Sequence, residues 1–171
     1  MRKSLLYISA VIASMLTTPA LAIVENYIPN AESVGKGRLT VMFWDVYDAS
    51  LYAPNGEWNQ ERPFALQLDY LRDIEGGDIA NRSAEEIRKL GFTDEVRLAA
   101  WYSEMRAIFP DVKNGSTLTG VYVPPSATKF YDGNTHIGTV NDPEFARWFF
   151  AIWLDEKTSE PKLREQLLGA R

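Results

Sequence analysis

The chain contains no cysteine and a single histidine, His136. Without cysteine there is no disulfide to staple the fold in an oxidising compartment, and thiolate-held zinc, haem and iron–sulfur centres are excluded. Acidic residues are scattered, with no Asp-x-Asp-x-Asp-Gly loop for a hard cation, so no metal or cofactor is implied. No Lys/Arg cluster follows the first three residues, which argues against nucleic acid as a partner. There is no internal repeat, no low-complexity linker and no apolar run long enough to span a bilayer. The longest run, Leu5 to about Leu16, is too short to anchor.

That run has a context of its own. Arg2 and Lys3 precede it, and Thr17-Thr18-Pro19-Ala20-Leu21-Ala22 follows it. A basic start, a short apolar helix ended by proline and a small-x-small site together predict a secretory signal peptide over residues 1–22, cut after Ala22. No cysteine follows the run, so lipid modification there is excluded. The expected mature chain, residues 23–171, is one domain, periplasmic or secreted, with no transmembrane anchor left. Its net charge goes from −5 to about −7 on losing Arg2 and Lys3. With 46% hydrophobic and 12% aromatic residues, packing must supply the stability that disulfides cannot.

Periodicity predicts the elements. Residues 23 to about 36 read as a polar, extended lead-in. Arg38 to Tyr52 is β-branched and aromatic, one bent strand or two, and Pro54-Asn55-Gly56 is a turn. Phe64 to Arg72 alternates, placing Phe64, Leu66, Leu68, Tyr70 and Arg72 on one inward face. Helices are expected over about 78–90 and 93–109, the second capped by Thr93 and broken by Pro110. Thr117–Val123 reads as strand. Strands 129–131 and 136–140 flank the Asp132-Gly133-Asn134 hairpin turn. Asp142-Pro143-Glu144 opens an aromatic helix to Leu154, whose Phe145, Trp148, Phe149, Phe150 and Trp153 read as helix-on-sheet packing. A short helix over 161–168 ends at Gly169. This order of elements is an α+β pattern.

Several runs, in collinear order over nearly the whole mature chain, resemble the bacterial, exported branch of the chalcone isomerase-like proteins. They are Gly35-x-Gly37-Arg38 with Asp45 to Pro54, Phe109-Pro110-Asp111-Val112, Tyr131 to Asn134 with Ile137-Gly138, Phe149 to Leu154, and Pro161-x-Leu163-Arg164 with Leu167-Leu168-Gly169. The resemblance implies an open-faced β-sandwich: a large antiparallel sheet, helices packed on one face, and a ligand cleft between them. Members of that family are true isomerases, fatty-acid binders or proteins of unknown activity.

The isomerase reaction needs a buried Arg and hydroxyl donors to stabilise developing negative charge. By the resemblance, the catalytic Arg position falls on Arg38 and the catalytic Thr position on Tyr47. The Tyr-x-x-Lys-x-x-x-Asn set of the active enzymes falls on Ile79, Arg82 and Glu86, which have lost the hydroxyl and the amide. The catalytic assignment is therefore none. The leading expectation is a non-catalytic binder of a small amphipathic acid, fatty-acid-like or aromatic. Arg38, Tyr47 and Arg72 are candidates for its carboxylate, and Phe43, Tyr70, Trp101 and Trp148 for its apolar slot. Which of Arg38 and Arg72 faces the cleft stays open. Arg38 and Tyr47 are nine residues apart, an odd spacing that puts them on opposite strand faces unless a bulge intervenes. Solvated or carboxylate-paired arginines and a core Tyr47 are the plainer readings. Two other functions stay open: an isomerase or lyase acting on an enone or aromatic substrate, and a ligand-free interaction module with an unspecified protein partner.

Overall fold

A computed structural model describes residues 23–169; the expected signal peptide lies outside them. Six strands form one antiparallel sheet in sequence order: β1 (Ala31–Val41), β2 (Trp44–Pro54), β3 (Phe64–Tyr70), β4 (Thr117–Val123), β5 (Ala127–Asp132) and β6 (Thr135–Asn141). Helices α1 (Gly76–Lys89) and α2 (Glu95–Ile108) are inserted between β3 and β4, and α3 (Pro143–Leu154) and α4 (Pro161–Leu167) follow β6. All four pack on one face. This is the expected α+β, open-faced sandwich.

Alternation sorts the two faces. Phe64, Leu66, Leu68 and Tyr70 of β3 turn to the helices and are buried. Gln67 and Asp69 turn the other way, where Gln67 and Thr117 both donate to the Asp69 carboxylate. The long 38–52 run is two strands, joined through Met42 and Phe43. The lead-in is not merely extended. Ile23, Val24 and Ile28 are buried against Tyr52, Ala65, Val121 and Tyr131 on the sheet's second face, and residues 31–36 already belong to β1. Asp94, one residue later than expected, caps α2 by accepting from the Arg97 backbone N–H at 3.0 Å. Among the described residues, no helix is long and apolar enough to cross a membrane.

Helix α3 holds the layers together. The Asp142 carboxylate accepts from the backbone N–H groups of Glu144 and Phe145 at its start. Its Phe145, Phe149, Phe150 and Trp153 are buried on the sheet, with Phe149 edge-on to Phe130 at 5.2 Å. Each fully buried aromatic of this kind contributes about 1.5–3 kcal/mol. Helix α4 lies on β1, and so closely that a Cβ built at Gly35 would overlap the carbonyl oxygens of Gln166 and Leu167. Gly35→Ala should therefore lower stability by about 1–3 kcal/mol through overpacking, read from a denaturation midpoint. An unchanged midpoint would contradict this close approach.

Candidate functional site

The helices do not cover the sheet evenly. Between the floor of β3–β5 and the walls of α1 and α3 lies a cleft of about 390 Å³, within the range of small-molecule sites. Leu66, Leu68, Tyr70, Leu118 and Phe130 form its floor; Ile79, Phe149, Ile152 and Trp153 form its walls. Leu39, Val41 and Val46 of the first hairpin close one side. The polar groups are Tyr47, Asp78, Arg82, Ser83, Thr119, Glu86 and Glu160. Among the described residues, Arg82 is the only basic side chain of this lining.

Two tyrosines meet inside. Tyr47 and Tyr70 are cross-strand partners, with ring centroids 5.8 Å apart, edge to face. The Tyr47 hydroxyl accepts from the Trp153 indole N–H at 2.9 Å, which ties β2 to α3. Burial pushes both hydroxyls well above the ordinary phenol range, so both are neutral donors at physiological pH. Among the described residues, neither hydroxyl proton has a protein acceptor. The charges of Glu160, Arg82 and Glu86 act on the Tyr47 hydroxyl, so the charged mouth and the aromatic interior belong to one site.

The mouth is built on α1. Ile79, Arg82 and Glu86 are spaced three and four apart, hence on one helix face. Glu86 is buried, only 6% exposed. Its carboxylate meets Arg82 at 2.8 Å, Lys89 at 3.0 Å and the Ser159 hydroxyl. Burial alone would raise its pKa. The Ser159 hydroxyl, the Lys89 ammonium and the Arg82 charge outweigh that and hold it below the ordinary 4.5. Arg82 itself is more than half exposed, its side chain at 57%. One of its nitrogens lies on Glu86 and a second stands 3.9 Å from Glu85. A guanidinium carries five N–H donors, so donors remain for an incoming anion. The mouth can therefore take a carboxylate, and the interior an apolar body.

The remaining sequence candidates scatter. Arg38 lies on the sheet's other face. It pairs with Asp48 through two bonds of 2.6 and 2.9 Å and with Asp45 at 2.9 Å; these partners raise its pKa further. The Asp45 carboxyl is held below its ordinary range, first by the Thr40 hydroxyl and then by Arg38. Arg38 and Tyr47 do not converge, because Arg38 opposes Asp48 and Leu39 opposes Tyr47; the bulge comes only after Leu39. Arg72 does not point inward. β3 ends at Tyr70, its inward phase is lost, and Arg72 stands exposed with its guanidinium 5.6 Å from the Trp44 ring centroid. Phe43 is 92% exposed at the hairpin apex and lines no cleft. Trp101 is core: it stacks on Phe92 at 4.7 Å and donates to Asp142 at 3.0 Å. Trp148 is turned to the far side of α3, where with Trp58, Tyr122 and Pro125 it borders a wider depression of about 840 Å³. Tyr47 and Tyr70 do line the cleft. The arginine that lines the cleft is Arg82, which is not among the sequence candidates for the carboxylate although the resemblance puts it at the Lys position of the helix set.

The sequence model of the family described as chalcone isomerase-like matches residues 34–169. A Haemophilus influenzae protein whose name assigns it no function is 30% identical over 139 residues, spanning 81% of this chain and 68% of the relative. The crystal structure of a fatty-acid binding protein of Arabidopsis thaliana superposes with a TM-score of 0.64, covering 82% of this chain and 87% of the other. At 15% identity, that likeness speaks to the fold alone. Matched in sequence over residues 34–169 and sharing the fold of that structure, this chain belongs to the chalcone isomerase-like family.

Proposed function

We propose that this protein is an exported, non-catalytic carrier of a small amphipathic acid, fatty-acid-like, held in the cleft between sheet and helices. One observation carries the reading: a continuous apolar interior opens at a mouth where, among the described residues, Arg82 is the one basic side chain that lines the cleft. The acyl part lies on Leu66, Leu68 and the Tyr47–Tyr70 pair, and the carboxylate meets the free donors of Arg82. Glu86 does not block this, because Lys89 and Ser159 keep it satisfied when Arg82 turns to a ligand. The fatty-acid binding named for the Arabidopsis structure agrees with it. Ile79 and Glu86 supply neither the hydroxyl nor the amide of the active enzymes, so no ring-closing activity is expected.

Binding is measured by calorimetry with a long-chain fatty acid. Arg82→Ala should weaken it at least about tenfold, the loss of roughly 1.4 kcal/mol expected for a charge-assisted bond. Arg38→Ala should leave it unchanged, and Glu86→Gln, which removes the competing anion, should strengthen it. Wild-type affinity in Arg82→Ala, or a loss in Arg38→Ala, would move the head group elsewhere. Turnover of a 2′-hydroxychalcone above spontaneous closure would favour the isomerase reading.

Export is part of the same proposal. A cut after Ala22 leaves Ile23, Val24 and Ile28, which pack on the second face, in the mature chain. The mass of the protein recovered from the periplasm should start at Ile23. An intact Met1 start in that fraction would contradict it.

A further inference from the structure

Among the described residues, four of the five large hydrophobic side chains that stand exposed are consecutive: Val41 at 46%, Met42 at 84%, Phe43 at 92% and Trp44 at 66%. They form the apex of the β1–β2 hairpin. An apex of this kind ordinarily carries Gly, Asn or Asp. Here Met42 holds a φ of 58°, left-handed backbone that a residue with a side chain adopts only at a cost. The sequence thus accepts strain to display apolar groups where polar turn residues would be easier to fold, and such an outlier is a pointer to function. The apex is also continuous with the cleft, because Leu39, Val41 and Val46 of the same hairpin line it.

We infer that this hairpin tip docks on a lipid bilayer. Four side chains are far fewer than the roughly 20–30 residues per side of a stable protein interface, which argues against a second copy or a protein partner. They suit shallow insertion, in which aromatic rings settle at the headgroup level. The Arg72 guanidinium beside the Trp44 ring leaves a cation at that level to meet lipid phosphates. The chain as a whole is acidic, so attachment rests on the apolar tip rather than on general attraction to anionic lipid, and salt should affect it little. Docking does not require a ligand in the cleft. With the proposed ligand, it would set the cleft's hairpin side against the membrane where such acids dissolve.

The test is flotation with vesicles of phosphatidylethanolamine and phosphatidylglycerol, using protein whose N-terminus is defined by mass. The wild type should float, at low and at high salt alike. The double variant Phe43→Ser with Trp44→Ser should bind at least about tenfold more weakly, while its circular dichroism and its fatty-acid binding in vesicle-free solution stay unchanged. Failure of the wild type to float, or equal flotation of the variant, would overturn the inference. So would a wild-type dimer that the variant abolishes, which would assign the tip to a second copy. Loss of fatty-acid binding in the variant would overturn it too, by showing that the tip supports the cleft instead. Should neither protein bind fatty acid while only the wild type floats, docking stands and the ligand reading falls.

Discussion

The aromatic face of α3 sets the height of the helical layer above the sheet, and the cleft exists because of it. Phe145 and Phe149 meet Phe130 of β5 edge-on, Phe150 meets Phe64 of β3 edge-on and Trp153 bonds to Tyr47 of β2, and rings of that size keep the helix axis well off the sheet. Phe150 packs over Gly120 of β4. Protein interiors otherwise close to crystal-like density. A space of about 390 Å³ between α1 and α3 is therefore a consequence of bulky supports on one side and smaller aliphatic groups on the other. The Trp153–Tyr47 hydrogen bond fixes the rim by joining helix to strand, and among the described residues it leaves the Tyr47 proton without a protein acceptor.

Two arginines illustrate how environment decides a role. Arg38 has three of its nitrogens committed to Asp45 and Asp48, so it braces the β1–β2 hairpin across the outer face. Arg82 shares its single close anion with Lys89 and Ser159. The first guanidinium is spent on structure, and the second keeps capacity at the mouth of an apolar space. Residue type alone does not separate them; the face of the sheet or helix does.

The architecture was legible where local chemistry is strong. Asp142-Pro143-Glu144 opens α3, the Asp132-Gly133 turn joins β5 to β6, and the period-two pattern of Phe64–Tyr70 marks its buried face. The odd spacing of Arg38 and Tyr47 also foretold opposite faces. Other features depended on tertiary contacts that no window of sequence contains. Phe43 reads as strand interior because the hairpin apex carries no turn residue. Arg72 reads as inward only if the strand continues two residues longer than it does. Trp101 and Trp148 are chemically fit to line a slot, but α2 and the far side of α3 carry them away from it. Arg82 had a signal, its three–four spacing with Ile79 and Glu86 on one helix face; the nearby acids made that face look merely solvated.

The most direct test of the binding account is nuclear magnetic resonance of a fatty acid labelled with carbon-13 at its carboxyl and bound to the protein. The account predicts that the bound carboxyl titrates below its free value, because Arg82 favours the ionised form, and that the acyl protons show contacts to the rings of Tyr47, Tyr70 and Trp153. A carboxyl that titrates as in water, or acyl contacts confined to the sheet's outer face around Arg38, would contradict it.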